Sequence, residues 1–144
     1  MKLYTIGFTK KTAREFFSRL TRAGVTKVVD VRLNNSSQLA GFAKKDDLAY
    51  FLEALCGLPY EHRPELAPTE EIRAGFKGRE GTWEDFEKRF LALMAQRRVA
   101  QTIPQAALDG ACLLCSEDEP RHCHRRLVAE YLRDRWGAVE IVHL

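Results

Sequence analysis

A chain of 144 residues, 45% hydrophobic and 30% charged, has the size and balance of one globular domain. Its 23 basic and 20 acidic residues leave a net charge of +3, which does not by itself imply a nucleic-acid surface but allows a local basic patch. The sequence holds no apolar run of the roughly 18 residues that a membrane-spanning helix needs. MKLYTIGFTKK lacks an apolar signal segment and cleavage site, so the four cysteines read as cytoplasmic thiols or ligands and not as a disulfide framework.

KLYTIGF (2–8) is β-prone and ends on Gly-Phe-Thr. TAREFFSRLTRAG (12–24) predicts a helix: Thr12 and Glu15 have capping-box spacing, Phe16, Phe17 and Leu20 share a face, and Gly24 suits the end. VTKVVDVR (25–32) is β-branched without alternation, as expected of a strand covered on both faces. DDLAYFLEALCG (46–57) predicts a second helix closed by glycine, and a short strand is expected at Tyr60–His62 within the proline-broken stretch 58–68. TEEIRAGF predicts one or two helical turns. TWEDFEKRFLALMAQRRV (82–99) predicts a long helix capped by Thr82, with Phe86, Phe90 and Leu93 inward. A loop is expected around Pro104, then a buried strand at GACLLC (110–115), a helix from about His122 to Trp136, and a last strand at VEIVHL (139–144).

This alternation predicts a Rossmann-like α/β domain, a mostly parallel sheet with helices on both faces. Ligands of such sheets bind beyond the carboxyl ends of the strands. The expected contributors there are Gly7-Phe8-Thr9, Asp30-Val31-Arg32, the chain from Cys115 onward, and His143.

LLCSEDEPRHCHRR (113–126) carries the densest chemistry and admits several readings. Cys115 and Arg121 have the C-x5-R spacing of thiol phosphatases, yet Glu117, Asp118 and Glu119 would repel a phosphate and no glycine lets the loop curl. Cys115, Cys123 and His124, with Glu117 or His122 as a fourth donor, are of the types that bind zinc, at a spacing unusual for zinc knuckles. Cys56 and Cys112 sit in apolar runs and read as small buried hydrophobes. Cys112 and Cys115 should point to opposite faces of their strand. A third reading puts Cys123, His124 and Arg125 in the first turn of the last helix, where the dipole favours anions and a Cys123 thiolate.

The leading expectation is an enzyme acting on an anionic substrate, a nucleotide or nucleic-acid-like group. Arg32 and Arg125 would hold the anion, Cys123 or Cys115 would supply a thiolate, and Glu117 with His124 would handle protons. Gly7 and Asp30 complete the substrate-binding set. A non-catalytic metal- or nucleic-acid-binding module and a Cys115–Cys123 redox sensor stand as alternatives, with zinc the candidate cofactor. Taken singly, each residue also has a packing explanation; Trp83 and Trp136 have no other.

TIGF, VVDVR, LPYEH and LLCSEDEPRHCHRRLVAEYL occur in the order of signature segments of the domain-of-unknown-function-488 family, which the chain resembles from Thr5 to His143. The resemblance implies an α/β fold and weight on Cys115, Glu117, Cys123, His124 and Arg125, with Gly7, Asp30 and Arg32 from the earlier segments. It implies no reaction. The chain departs from the pattern at Phe8-Thr9, at LNNSS after Asp-Val-Arg, and at Leu66-Ala67, where the family often has Leu-Gly.

Overall fold

The computed structural model describes residues 1–36, 41–77 and 81–144, so the last residue of LNNSS, Ser37, lies outside the described residues. The strands are β1 (Lys2–Gly7), β2 (Lys27–Asp30), β3 (Tyr60–His62), β4 (Ala111–Cys115) and β5 (Glu140–His143). The helices are α1 (Ala13–Ala23), α2 (Lys45–Phe51), α3 (Glu70–Lys77), α4 (Trp83–Arg97), α5 (Val99–Thr102), α6 (Gln105–Leu108) and α7 (His124–Trp136). Every expected element is present. Thr12 accepts the Glu15 N–H at 3.1 Å and Thr82 accepts the Asp85 N–H at 3.1 Å, caps worth about 1 kcal/mol each. Gly24 closes α1 at φ 73°.

The all-parallel sheet runs β3-β2-β4-β1-β5, with Gly7 beside Cys115 and Asp30 beside Leu114 at the carboxyl edge. Strand alternation divides the interior in two. Leu3, Val29, Leu113 and Cys115 pack with α4 and α7, whereas Tyr4, Ile6, Val28, Cys112 and Leu114 pack with α1 and α2. Helices therefore cover both faces, and Cys112 and Cys115 face opposite sides. Among the described residues no helix is long and apolar enough to cross a membrane.

Several details differ from the sequence reading: the helix expected over 46–57 runs as α2 to Phe51 and continues as a π-helical segment over Leu52–Cys56. The buried stripe of α4 is Phe86, Phe90 and Met94, with Leu93 only half-buried, because α4 lies between α3 and α7 and presents an i, i+4 ridge. The segment around Pro104 holds α5 and α6, the first entered through Arg98 at φ 54° and the second through Pro104 itself. Finally, α7 starts at His124, leaving Cys123 as its extended N-cap residue.

Candidate functional site

The carboxyl ends of β1 and β4 are closed by the chain's own loop 116–123. The Thr9 N–H and hydroxyl donate to the Ser116 carbonyl at 3.1 and 2.8 Å, and Lys11 pairs with Asp118 at 2.6 Å. The Glu117 carbonyl lies directly on Gly7, where a Cβ would overlap it and come within 2.9 Å of Arg125 Nη1. Gly7 is thus a glycine of close approach. Beneath the loop sits Arg125, only 1% exposed. Its Nη1 donates to the Glu117 carbonyl, Nη2 to the Asp118 carbonyl at 3.1 Å, and Nε to Thr5 Oγ1 at 3.3 Å. Arg125, expected to hold a substrate anion, instead fastens the loop to the sheet. Sequence spacing placed it at the correct edge, but its guanidinium turns inward.

After β2, Asp30 and Arg32 form a buried side-on pair: Arg32 Nε reaches Asp30 Oδ1 at 2.9 Å and Nη2 reaches Oδ2 at 2.8 Å. The Arg32 backbone N–H also donates to Asp30 Oδ1, and the Tyr60 hydroxyl donates to Oδ2 at 2.5 Å. Burial, with the Asp30 carboxylate next in weight, holds the Tyr60 phenol well above its usual pKa. His62 Nε2 donates to the Arg32 carbonyl at 2.9 Å. Asp30 thus orients Arg32 and is itself fully buried, whereas Arg32 Nη1 is buried with no hydrogen-bond partner.

Cys115, at the end of β4, meets Cys123 and His124 at the start of α7; one donor atom from each lies within 4.8 Å of the others. His124 Nε2 is 2.6 Å from the Val31 carbonyl, which can only accept, so Nε2 carries the proton. In the neutral ring Nδ1 then presents its lone pair, 3.5 Å from Cys115 Sγ. The two thiols are unlike. A hydrogen bond from Cys123 lowers the pKa of Cys115 against the opposing effect of burial, helped by the Ser116 N–H and by Arg125. Burial, then the bond to Cys115, raises that of Cys123. Against the expectation of a Cys123 thiolate at the helix terminus, burial raises the pKa of Cys123, and Cys115 is the thiol whose pKa is lowered.

These three side chains line a cavity of about 290 Å³. Arg32 and Arg73 also line it, as do Phe76, Trp83, Phe86 and His122. The Trp83 ring stacks on His122 and on Phe86, with centroids 5.0 Å apart in both cases, and meets Phe76 edge-on at 5.6 Å. Glu117 is exposed and lines the same cavity. Arg121, six residues after Cys115, is exposed and lines other surface hollows, so the C-x5-R spacing forms no anion loop over Cys115. The aromatic wall is what sequence reasoning missed. Its one trace in the sequence is Trp83 at the first position of an otherwise amphipathic helix, where it reads as packing.

His143 does not line this cavity; it extends the network on the far side of β1. Thr5 Oγ1 accepts from Arg125 Nε at 3.3 Å and shares a hydrogen bond of 2.6 Å with His143 Nδ1. Burial first, then Arg125, lowers the His143 pKa below the ordinary 6.5. Below that pH the unfolded chain binds the extra proton more readily, so this residue's contribution is fully present at neutral pH and declines on acidification. Chemical denaturation at pH 7.5 and about pH 5.5 should show His143→Gln flattening that decline modestly, since the residue is partly exposed.

Ala67, where the family often has glycine, is buried at φ −96° and its carbonyl accepts from Arg97 Nη1 at 2.6 Å. No left-handed backbone is required at that position, so the departure is accommodated. No curated protein and no solved structure matches the chain. Residues 12–132, however, match the model of the family described as domain of unknown function DUF488. That span takes in Asp30, Arg32, the whole of loop 116–123 and the first turns of α7, and the chain belongs to the DUF488 family.

Proposed function

We propose that this protein is an enzyme acting on a small anion that bears a planar ring, of the nucleotide class, bound in the cavity over Cys115, Cys123 and His124. The observation that carries the reading is a cavity that brings Arg32 and Arg73 together with an aromatic wall and the Cys-Cys-His group, and Arg32 keeps one buried nitrogen, Nη1, without a hydrogen-bond partner. A buried, unpartnered guanidinium nitrogen is costly unless a ligand completes it. Arg32 is already aimed by Asp30, and an arginine so fixed suits a phosphate or carboxylate. The aromatic wall of Phe76, Trp83 and His122 gives the ring of a base an apolar surface to lie against. A volume near 290 Å³ suits one such unit better than a strand of nucleic acid. Glu117 would accept or return a proton, and Arg125 and Gly7 hold the loop that carries it. The free state of all four cysteines fits a reducing compartment such as the cytoplasm.

Calorimetric titration with adenosine monophosphate, adenosine and inorganic phosphate tests this. The monophosphate should bind tightest. Arg32→Lys, which keeps a cation beside Asp30 but removes the planar guanidinium, should weaken it by about tenfold or more. Trp83→Leu should weaken adenosine and the monophosphate alike and leave phosphate unchanged. Equal affinity for phosphate and the monophosphate, unaltered in both variants, would overturn the reading.

A further inference from the structure

Cys115, Cys123 and His124 also admit a more specific assignment, and we propose that they form a zinc centre with one coordination position open to the cavity. The centre stands on its own donors; what the ion would act on rests on the nucleotide reading above. Two thiol sulfurs and an imidazole nitrogen converge within 4.8 Å, and both donor types belong to zinc chemistry. Zinc held at about 2.3 Å from sulfur and about 2.0–2.1 Å from nitrogen, with tetrahedral angles, sets sulfur and nitrogen about 3.6 Å apart. Cys115 Sγ and His124 Nδ1 stand 3.5 Å apart.

The histidine is prepared as ligating histidines are. Its other nitrogen donates to a backbone carbonyl, that of Val31 at 2.6 Å, which fixes ring orientation and tautomer so that Nδ1 faces the sulfurs. The Cys-x7-Cys-His spacing, odd for a zinc knuckle, is reconciled by the fold. Cys115 ends β4, the N-cap of α7 supplies Cys123, and Arg125 holds the loop between them closed. All three donors line the cavity, so a fourth ligand would come from it. Three protein ligands with an open position are the pattern of catalytic zinc, where a structural site would be closed by four.

Charge decides what that fourth ligand is. Zinc with two thiolates and a neutral imidazole is neutral. Arg125 lies beside the group, 1% exposed, and among the described residues no carboxylate pairs with it. The residual positive charge favours hydroxide or an oxygen of the bound anion over a neutral donor. The aromatic wall would then seat the ring while Arg32 and the ion engage the anionic end, and the ion would supply Lewis acidity there.

The test is metal content and competition titration on the full reduced chain, purified without chelator. Native mass spectrometry should show one zinc per chain that is absent under denaturing conditions, and cobalt should give the intense sulfur-to-metal absorption of two thiolates. Cys115→Ser, Cys123→Ser and His124→Ala should each lower zinc affinity beyond the 10–100-fold that loss of an outer partner causes. Cys56→Ser, at a half-buried cysteine of the opposite core, should bind as wild type. A wild-type chain that takes up neither zinc nor cobalt overturns the proposal, and so does uptake undiminished in both Cys115→Ser and Cys123→Ser. If those variants do not fold, the wild-type cobalt spectrum decides, since absence of thiolate bands excludes the sulfurs. Adenosine monophosphate binding with no metal uptake removes this inference alone; metal uptake with no nucleotide binding removes only the substrate reading.

Discussion

Gly7→Ala is expected to lower the melting temperature by roughly 10 °C, although it adds a single methyl group. At most positions an extra methylene in a packed interior costs about 1–3 kcal/mol, because side chains can give way. Here the obstacle is the Glu117 carbonyl, a backbone atom held by Arg125. Moving it breaks the Arg125 bonds to Glu117 and Asp118 and strains the Thr9–Ser116 bonds. Each buried polar group left unsatisfied costs about 1–3 kcal/mol, so a total near 3–4 kcal/mol follows. For a chain of this size each kcal/mol is worth about 2–4 °C or slightly more. Gly75→Ala, at a helical glycine of α3 with open space around it, is the control. A Gly7→Ala melt within about 2 °C of wild type would show that loop 116–123 does not rest on β1.

The second large effect lies at Asp30. Its carboxylate accepts from Arg32 Nε, Nη2 and backbone N–H and from the Tyr60 hydroxyl, and it is 0% exposed. Asp30→Ala leaves a guanidinium buried without its counter-charge, a change that typically costs about 3–5 kcal/mol. Removing both charges with Arg32→Met in the same chain should recover part of that loss, and a double-mutant cycle by urea denaturation would measure it. Tyr60 gives an independent readout. With Asp30 gone, one of the two main causes of its raised pKa is removed, so its phenol should ionise at lower pH in an ultraviolet titration. An unchanged titration curve, or additive losses in the cycle, would contradict the pairing.

Element order was written plainly in the sequence because caps and alternation are local. Thr12, Gly24 and Thr82 mark helix ends through their own backbone geometry, and the β-branched run 25–32 marks a covered strand. The convergence of Gly7, Asp30 and Cys115 at one edge followed from parallel topology alone. What could not be read was direction and environment. Arg32 and Arg125 are the same residue type at the same edge, and only the fold shows that the first lines the cavity while the second lies under a loop. Likewise the ranking of the two thiols depends on burial at Cys123 and on a sulfur–sulfur hydrogen bond across loop 116–123. Trp83 was legible only as packing, since its partners Phe76 and His122 come from segments on either side whose approach no periodicity encodes.

The central claim is that the cavity over Cys115 is where an anion with a ring binds, and nuclear magnetic resonance titration of the labelled chain with adenosine monophosphate tests it most directly. The Trp83 indole and the amides of Arg32, Ser116 and Glu117 should shift together along one saturable curve. The Trp136 indole, bonded to the Ala100 carbonyl at 2.9 Å and outside the cavity, should stay in place. Shifts centred on the exposed arginines of α7, or none at the Trp83 indole at saturating ligand, would contradict the account.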